Sequence, residues 1–232
     1  MTPPTRKKSE RRTDALSRER IVEAAVDLLD TAGESGLTFR ALSERLATGP
    51  GAIYWHVAGK GELLAAATEH TVTTALAGGT GGPPEEIHAV ALGLFDAIEG
   101  HPWLAAQLAT QLSHHPSGPV ALRVFETIGR QVHALDVPAS SWFTATSALV
   151  HYILGAAGQN AANRMRARDL GPEADRSAYI DSVAQSWKRL DPEDHPFIRA
   201  LADQGLDHDD RAQFLAGVDL IVAGMTAPLP FS

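Results

Sequence analysis

The chain contains no cysteine, which excludes disulfides, thiol redox sensing and thiolate metal sites and fits a reducing compartment. It also lacks the usual signatures of catalysis. There is no GxSxG elbow, P-loop, dinucleotide fingerprint or carboxylate pair at a useful spacing, so no enzyme is expected. Ten histidines are present, yet none stands in an HExxH spacing, and the adjacent His114 and His115 would diverge on a helix. No metal site and no cofactor are expected. Met1 to Asp14 is basic but has no apolar stretch, which excludes a secretory signal. Period-two alternation of the strand type is missing throughout, and the remaining pattern is helical.

Charge is unevenly placed. The formal net charge is −8, but residues 1–60 hold ten Lys/Arg against eight Asp/Glu, and residues 61–232 hold ten against twenty. The electrostatic footprint for phosphate therefore lies at the N-terminus, ahead of an acidic remainder. Residues 1–16 are polar and charged and read as a basic, disordered arm, either a solubilising tail or a reach toward phosphates.

Ser17 is a helix cap, and Ile21, Ala24, Ala25, Leu28, Leu29 and Ala32 follow as an apolar stripe that Gly33 ends. Thr38 caps a short helix with Phe39, Leu42 and Leu46 on one face. Gly49 and Pro50 then restart the chain, since glycine is tolerated as a cap and proline at the first helical position gives up a donor that would be orphaned anyway. A second short helix should run from Pro50 to His56 or Val57. Two helices so briefly connected must cross steeply, the helix-turn-helix arrangement, leaving the second free to enter a major groove.

Downstream the chain reads as consecutive helices: Glu62 to Ala77, Glu85 to Glu99, Trp103 to Leu112, Val120 to Leu135, Ser177 to Leu190, Phe197 to Ala202 and Ala212 to Met225. The stretch from Ala139 to Asn163 carries no Asp, Glu, Lys or Arg, so a membrane-spanning segment is one alternative. Ser, Thr, His, Gln and Asn recur along it, however, and favour a central helix buried by the body and by a second subunit. Arg164 to Arg176 reads as a charged loop. The fold class is all-α, a three-helix helix-turn-helix head joined to a larger helical body. The boundaries fall at 1–16 for the arm, 17–62 for the head and 63–232 for the body.

The pattern GLTFRALSERL, an irregular turn and AIYWHVAGKGELL resembles the DNA-binding part of the TetR family of transcriptional regulators. VHYILG at Val150 to Gly155 and FLAGVDLIVAG in the last helix are similar to the C-terminal domain of the family's tetracycline repressor, so the resemblance covers almost the whole chain. It implies Arg40 as a base contact, Tyr54 and His56 as phosphate or groove contacts, Lys60 as a phosphate clamp and Trp55 as in part a packing residue. The full DNA-facing set is Thr38, Arg40, Pro50, Gly51, Ala52, Tyr54, Trp55, His56 and Lys60. Pro50 and Ala52 replace a glutamine and a threonine of the tetracycline repressor and offer no side-chain hydrogen bond to a base edge, so base readout must differ.

The resemblance further implies a ligand-binding and dimerisation body, two of whose helices pair with their mates in a homodimer. Polar and aromatic residues on otherwise apolar helices are the candidate pocket: Trp103, Gln107, Gln111, Phe125, His133, Trp142, His151, Gln159 and Asn163. The function expected is a cytoplasmic repressor, acting on the nucleoid, released from a palindromic double-stranded DNA operator by a small hydrophobic effector. An activator or a ligand-independent regulator is the alternative.

Overall fold

In the computed structural model, residues 16–79, 81–169, 176–204 and 209–227 are described. The expected N-terminal arm, most of the loop after residue 169 and part of the acidic loop at 207–210 lie outside them. Eleven α-helices and no strand occur among the described residues.

The head opens with α1 (Arg18–Gly36), α2 (Phe39–Arg45) and α3 (Pro50–Tyr54). Ser17 accepts from the Arg20 amide and Thr38 from the Ala41 amide, so both expected caps are in place. Gly33 turns out of the helical region with φ 65°, as only glycine does freely, yet the chain resumes a last turn to Gly36. The first helix is thus kinked at Gly33 rather than ended there. Similarly, α3 stops at Tyr54, two or three residues short of the expected end, because Trp55 serves as its C-cap.

The connecting helix is α4 (Lys60–Ala75), followed by α5 (Pro83–Gly100), α6 (Leu104–His114) and α7 (Pro119–Ala134). A single device starts three of the helices: Gly49, Gly82 and Gly118 cap, and Pro50, Pro83 and Pro119 occupy the first turn. A short 3-10 turn at Ala139–Ser141 leads into α8 (Trp142–Asp169). The charged residues from Arg164 to Asp169, expected as loop, extend that helix, since arginine, methionine and alanine are good helix formers. Completing the body are α9 (Arg176–Lys188), α10 (Pro196–Gln204) and α11 (Asp210–Thr226).

One contiguous core runs from Ile21, Leu42 and Ile53 in the head, through Leu63, Ala67 and Val72 of α4, to Phe95, Leu104, Ile128, Leu149, Ile153 and Phe214 in the body. The helix α4 thus buries side chains on both sides of the junction. Its end meets α5 backbone to backbone, because a methyl added at Gly93 would overlap the Ala75 carbonyl oxygen. On the far side of the body, Phe214 of α11 packs between Phe95 and Tyr152, with ring centroids 4.7 and 5.8 Å away. The Tyr152 hydroxyl donates to the Phe214 carbonyl at 3.0 Å. Gly217 leaves room for that hydroxyl, since a methyl there would collide with it.

The helix α8 is less enclosed than its composition suggests. Ala145, Leu149, Val150, Ile153, Ala157 and Ala161 are buried, whereas Thr144, Ala148, His151, Gly155, Gln159 and Ala162 form an exposed, uncharged stripe at helical spacing. No helix among the described residues is long and apolar enough to cross a membrane.

Candidate nucleic-acid interface

The position of α3 is fixed from inside. Ile53 and Val57 are 0% and 2% exposed, inserted into the head core with Leu37 and Leu42. The turn between α2 and α3 is closed by Thr48 N–H donating to Ser43 O at 3.0 Å. Ser43, itself buried, donates its hydroxyl to Phe39 O at 2.7 Å. Ala47 sits in the same turn at φ 49°, a left-handed conformation that costs an L-residue about 1–2 kcal/mol.

With Ile53 and Val57 turned inward, the opposite face reaches solvent. Pro50 and Gly51 are exposed there, Ala52 and His56 are half-buried, and Trp55 is 90% exposed. The expectation that Trp55 packs in part is corrected. As the C-cap of a five-residue helix it leaves the core between two inward residues, and the packing aromatic is Tyr54, whose ring lies on Phe39. Arg40 projects from α2 and pairs with Glu44 at 2.9 Å, both well exposed. That hydrogen bond, with the charge of Glu44, raises the guanidinium pKa. Thr38 is exposed beside it, with its hydroxyl used as the cap of α2.

The start of α4 is tied to α1 twice. Glu62 accepts from the Ala58 amide at 2.7 Å and from Arg18 at 3.2 Å, and these bonds, the amide first, hold its carboxyl below the usual range. Lys60 donates its ammonium to Glu34 O at 2.5 Å, satisfying a carbonyl at the end of α1. Lys60, expected as a phosphate clamp, thus has its charge engaged within the head.

The nine candidate pocket residues separate into groups. Phe125, His133 and Trp142 come together in a groove of about 400 Å³ between α7 and α8, with Phe143, Arg130 and the buried Thr146. There the His133 and Trp142 rings are 4.8 Å apart, and the indole is anchored by its N–H donating to Val137 O at 2.7 Å. Trp103 and Gln107 are buried at the other end of the body, where they donate to Asp30 and Glu34 of α1 at 2.7 and 3.0 Å. Gln111 is buried further along α6. His151, Gln159 and Asn163 are exposed on α8. Sequence reasoning missed Asp30 and Glu34, which stand outside the apolar stripe of the first helix and carry no local signal of a distant partner. Among the described residues, no three His, Asp or Glu side chains are grouped to hold a metal ion.

An exposed face of short helices, held out by a buried underside and followed by an all-helical body, defines a helix-turn-helix regulator. The family model for bacterial regulatory proteins of the tetR family matches residues 21–67, and that for the tetracyclin repressor-like C-terminal domain matches residues 77–229. The chain belongs to the TetR family of transcriptional regulators. Among solved structures it resembles the transcriptional regulator SCO7222, a TetR from Streptomyces coelicolor, with 62% identity, a TM-score of 0.83, and 91% of this chain and 98% of that chain covered. An HTH-type transcriptional regulator of Saccharopolyspora erythraea is 29% identical over 95% of this chain and 89% of its own length. The HTH-type transcriptional repressor DrrR1 of Streptomyces coeruleorubidus is 27% identical, covering 92% of this chain and 82% of its own.

Proposed function

We propose that the chain is a homodimeric repressor that binds a palindromic operator through residues 17–62 and is released when a small hydrophobic molecule enters the body, residues 63–232. The observation that carries this reading is the outward face of α3. Pro50, Tyr54 and the capping Trp55 are presented to solvent by a helix whose other side is locked into the core, and Arg40 projects beside them from α2. The adjacent exposed rings of Tyr54 and Trp55, 55% and 90% accessible, make an apolar contact surface on this face. Against a duplex it can contact sugar and thymine methyl groups while Arg40 reaches a guanine edge. Thr38, Gly51, His56 and Lys60 flank these residues and would meet phosphates, with Lys60 exchanging its bond to Glu34 O for one to DNA. Pro50 and Ala52 approach the bases without hydrogen bonds, so sequence choice falls to Arg40 and to DNA shape.

Dimerisation would use the exposed stripe of α8 together with α11, where Ala216, Leu220 and Ala223 are exposed and Leu220 is 76% accessible. Small uncharged residues on both helices permit close approach, and a two-fold axis would place two copies of α3 on half-sites about 34–36 Å apart. The name of DrrR1 as a repressor supports the sign of regulation. For the effector, the aromatic groove of Phe125, His133, Trp142 and Phe143 suits a planar apolar molecule with a few hydrogen-bonding groups. A site in the cytoplasm, on the nucleoid, follows from this role.

The test is selection of bound sequences from a random duplex pool, followed by titration against salt. Recovery of a palindrome with steep salt dependence supports the reading. Failure to enrich any sequence, with only weak salt-sensitive binding, overturns it.

A further inference from the structure

The head is joined to the body by more than α4. Asp30, one turn before the end of the regular part of α1, receives two hydrogen bonds on the same carboxylate oxygen, from His101 Nδ1 at 2.8 Å and from Trp103 Nε1 at 2.7 Å. One turn on, Glu34 accepts from Gln107 at 3.0 Å while its backbone carbonyl accepts from Lys60. Asp30 and Glu34 stand on either side of the break at Gly33, and each meets one donor from the start of α6, Asp30 the capping Trp103 and Glu34 the residue Gln107. The two helices do not pack closely against each other. The link is made by side chains alone. Trp103 and Gln107 are each 9% exposed, so with α1 in place these carboxylates supply the partners that water would otherwise give.

Beside this link the packing is open. A cleft of about 360 Å³ is bordered by Val26 of α1, His70 and Thr74 of α4, Gly93 and Ala97 of α5, and His101. The helix α1 borders this cleft, and beyond its packing on α4 the bonds to Asp30 and Glu34 are its ties to the start of α6.

We propose that Asp30 is a positioning residue, the acceptor of a latch that couples α6 directly to α1 and sets the orientation of the head for DNA. This route bypasses α4. It rests on the functional reading above only for its consequence on DNA. A change in the body that rotates the start of α6 withdraws the Trp103 and Gln107 donors together and frees α1. Release spreads the head over several orientations, and only a fraction of these fits both half-sites, so operator affinity falls with that fraction.

The absence of cysteine gives a direct test. Nitroxide labels on Glu23→Cys of α1 and Arg123→Cys of α7, in full-length chain diluted into excess unlabelled chain, report the distance between head and body within one protomer. Asp30→Ala should broaden that distance distribution, and the same substitution in unlabelled protein should weaken operator binding about tenfold, equivalent to ~1.4 kcal/mol. Binding to random duplex should stay unchanged. Asp30→Asn keeps a carbonyl oxygen for the Trp103 N–H and should restore both readouts in large part. An unchanged distribution in Asp30→Ala overturns the latch, as does failure of Asp30→Asn to differ from Asp30→Ala. A broadened distribution with unchanged operator affinity overturns its role in positioning for DNA. The distance measurement does not depend on DNA, so a broadened distribution in a protein that selects no operator upholds the latch and sinks the repressor reading instead.

Discussion

Tyr54 lies flat on Phe39, with ring centroids 4.3 Å apart and 4° between the planes. The pair joins α2 to α3 outside the head core, so the angle between the two helices is set by an aromatic stack at the surface as well as by Leu42 and Ile53 beneath. Removing it with Tyr54→Ala should destabilise the head by about 0.5–1.5 kcal/mol, the value of such a pair, whereas Tyr54→Phe should keep the melting temperature. Thermal denaturation followed by circular dichroism checks this. If Tyr54→Phe still binds the operator normally, the phenol hydroxyl has no part in phosphate contact.

Trp55 should behave in the opposite way. Being almost fully exposed, it can be changed to alanine with a stability cost under about 0.5 kcal/mol. Operator affinity should nevertheless drop about tenfold, equivalent to ~1.4 kcal/mol. Stability and affinity measured on the same preparation separate the two effects. Unaltered affinity would remove Trp55 from the interface.

Arg40 and Lys60 should differ in kind. Arg40→Ala should chiefly relax base preference, because a guanidinium reads a guanine edge, while Lys60→Ala should weaken binding to every sequence and lower the salt slope by about one. Competition binding with operator and random duplex at several salt concentrations distinguishes them. Equal losses on both DNAs for the Arg40 variant would count against base reading.

In the turn, Ala47 is held at φ 49°. Alanine to glycine normally costs roughly 0.5–1 kcal/mol in a helix, but here it relieves left-handed strain of about 1–2 kcal/mol, so Ala47→Gly should raise stability slightly. A lowered midpoint in urea would show that the turn gains more from restricting the unfolded chain than it loses in strain.

At the other end of the molecule, Gly217→Ala should drive a methyl into the Tyr152 hydroxyl and destabilise the α8–α11 contact by about 1–3 kcal/mol. Leu220→Glu, on the exposed side of α11, should leave the protomer folded and shift it to monomer by light scattering. A monomeric variant that retained full operator affinity would rule out the two-fold arrangement.

Much of this architecture was legible in the sequence. The caps Ser17 and Thr38 and the Gly49-Pro50 start are local signals, each decided by atoms within four residues, and they marked the first three helices to within a few positions. The outward direction of Trp55 was not legible, because a helix of five residues is too short for periodicity to assign faces. Nor were the partners of Trp103 and Gln107. A polar group on an apolar helix announces that it needs a partner, but not whether that partner is a ligand or a carboxylate more than seventy residues earlier in the chain. The end of α8 was misjudged because charge was read as loop, although arginine continues a helix readily once its side chain can reach water or an acidic partner, as Arg164 does with Glu99.

The backbone contact between Gly93 and Ala75 makes the end of α4 a fulcrum. No side chain stands between the two backbones at that point, because Gly93 has no room for a methyl against the Ala75 carbonyl. From Ala75 to Lys60 the helix is about 22 Å long, so a tilt of only about 5° at this contact would carry its far end roughly 2 Å.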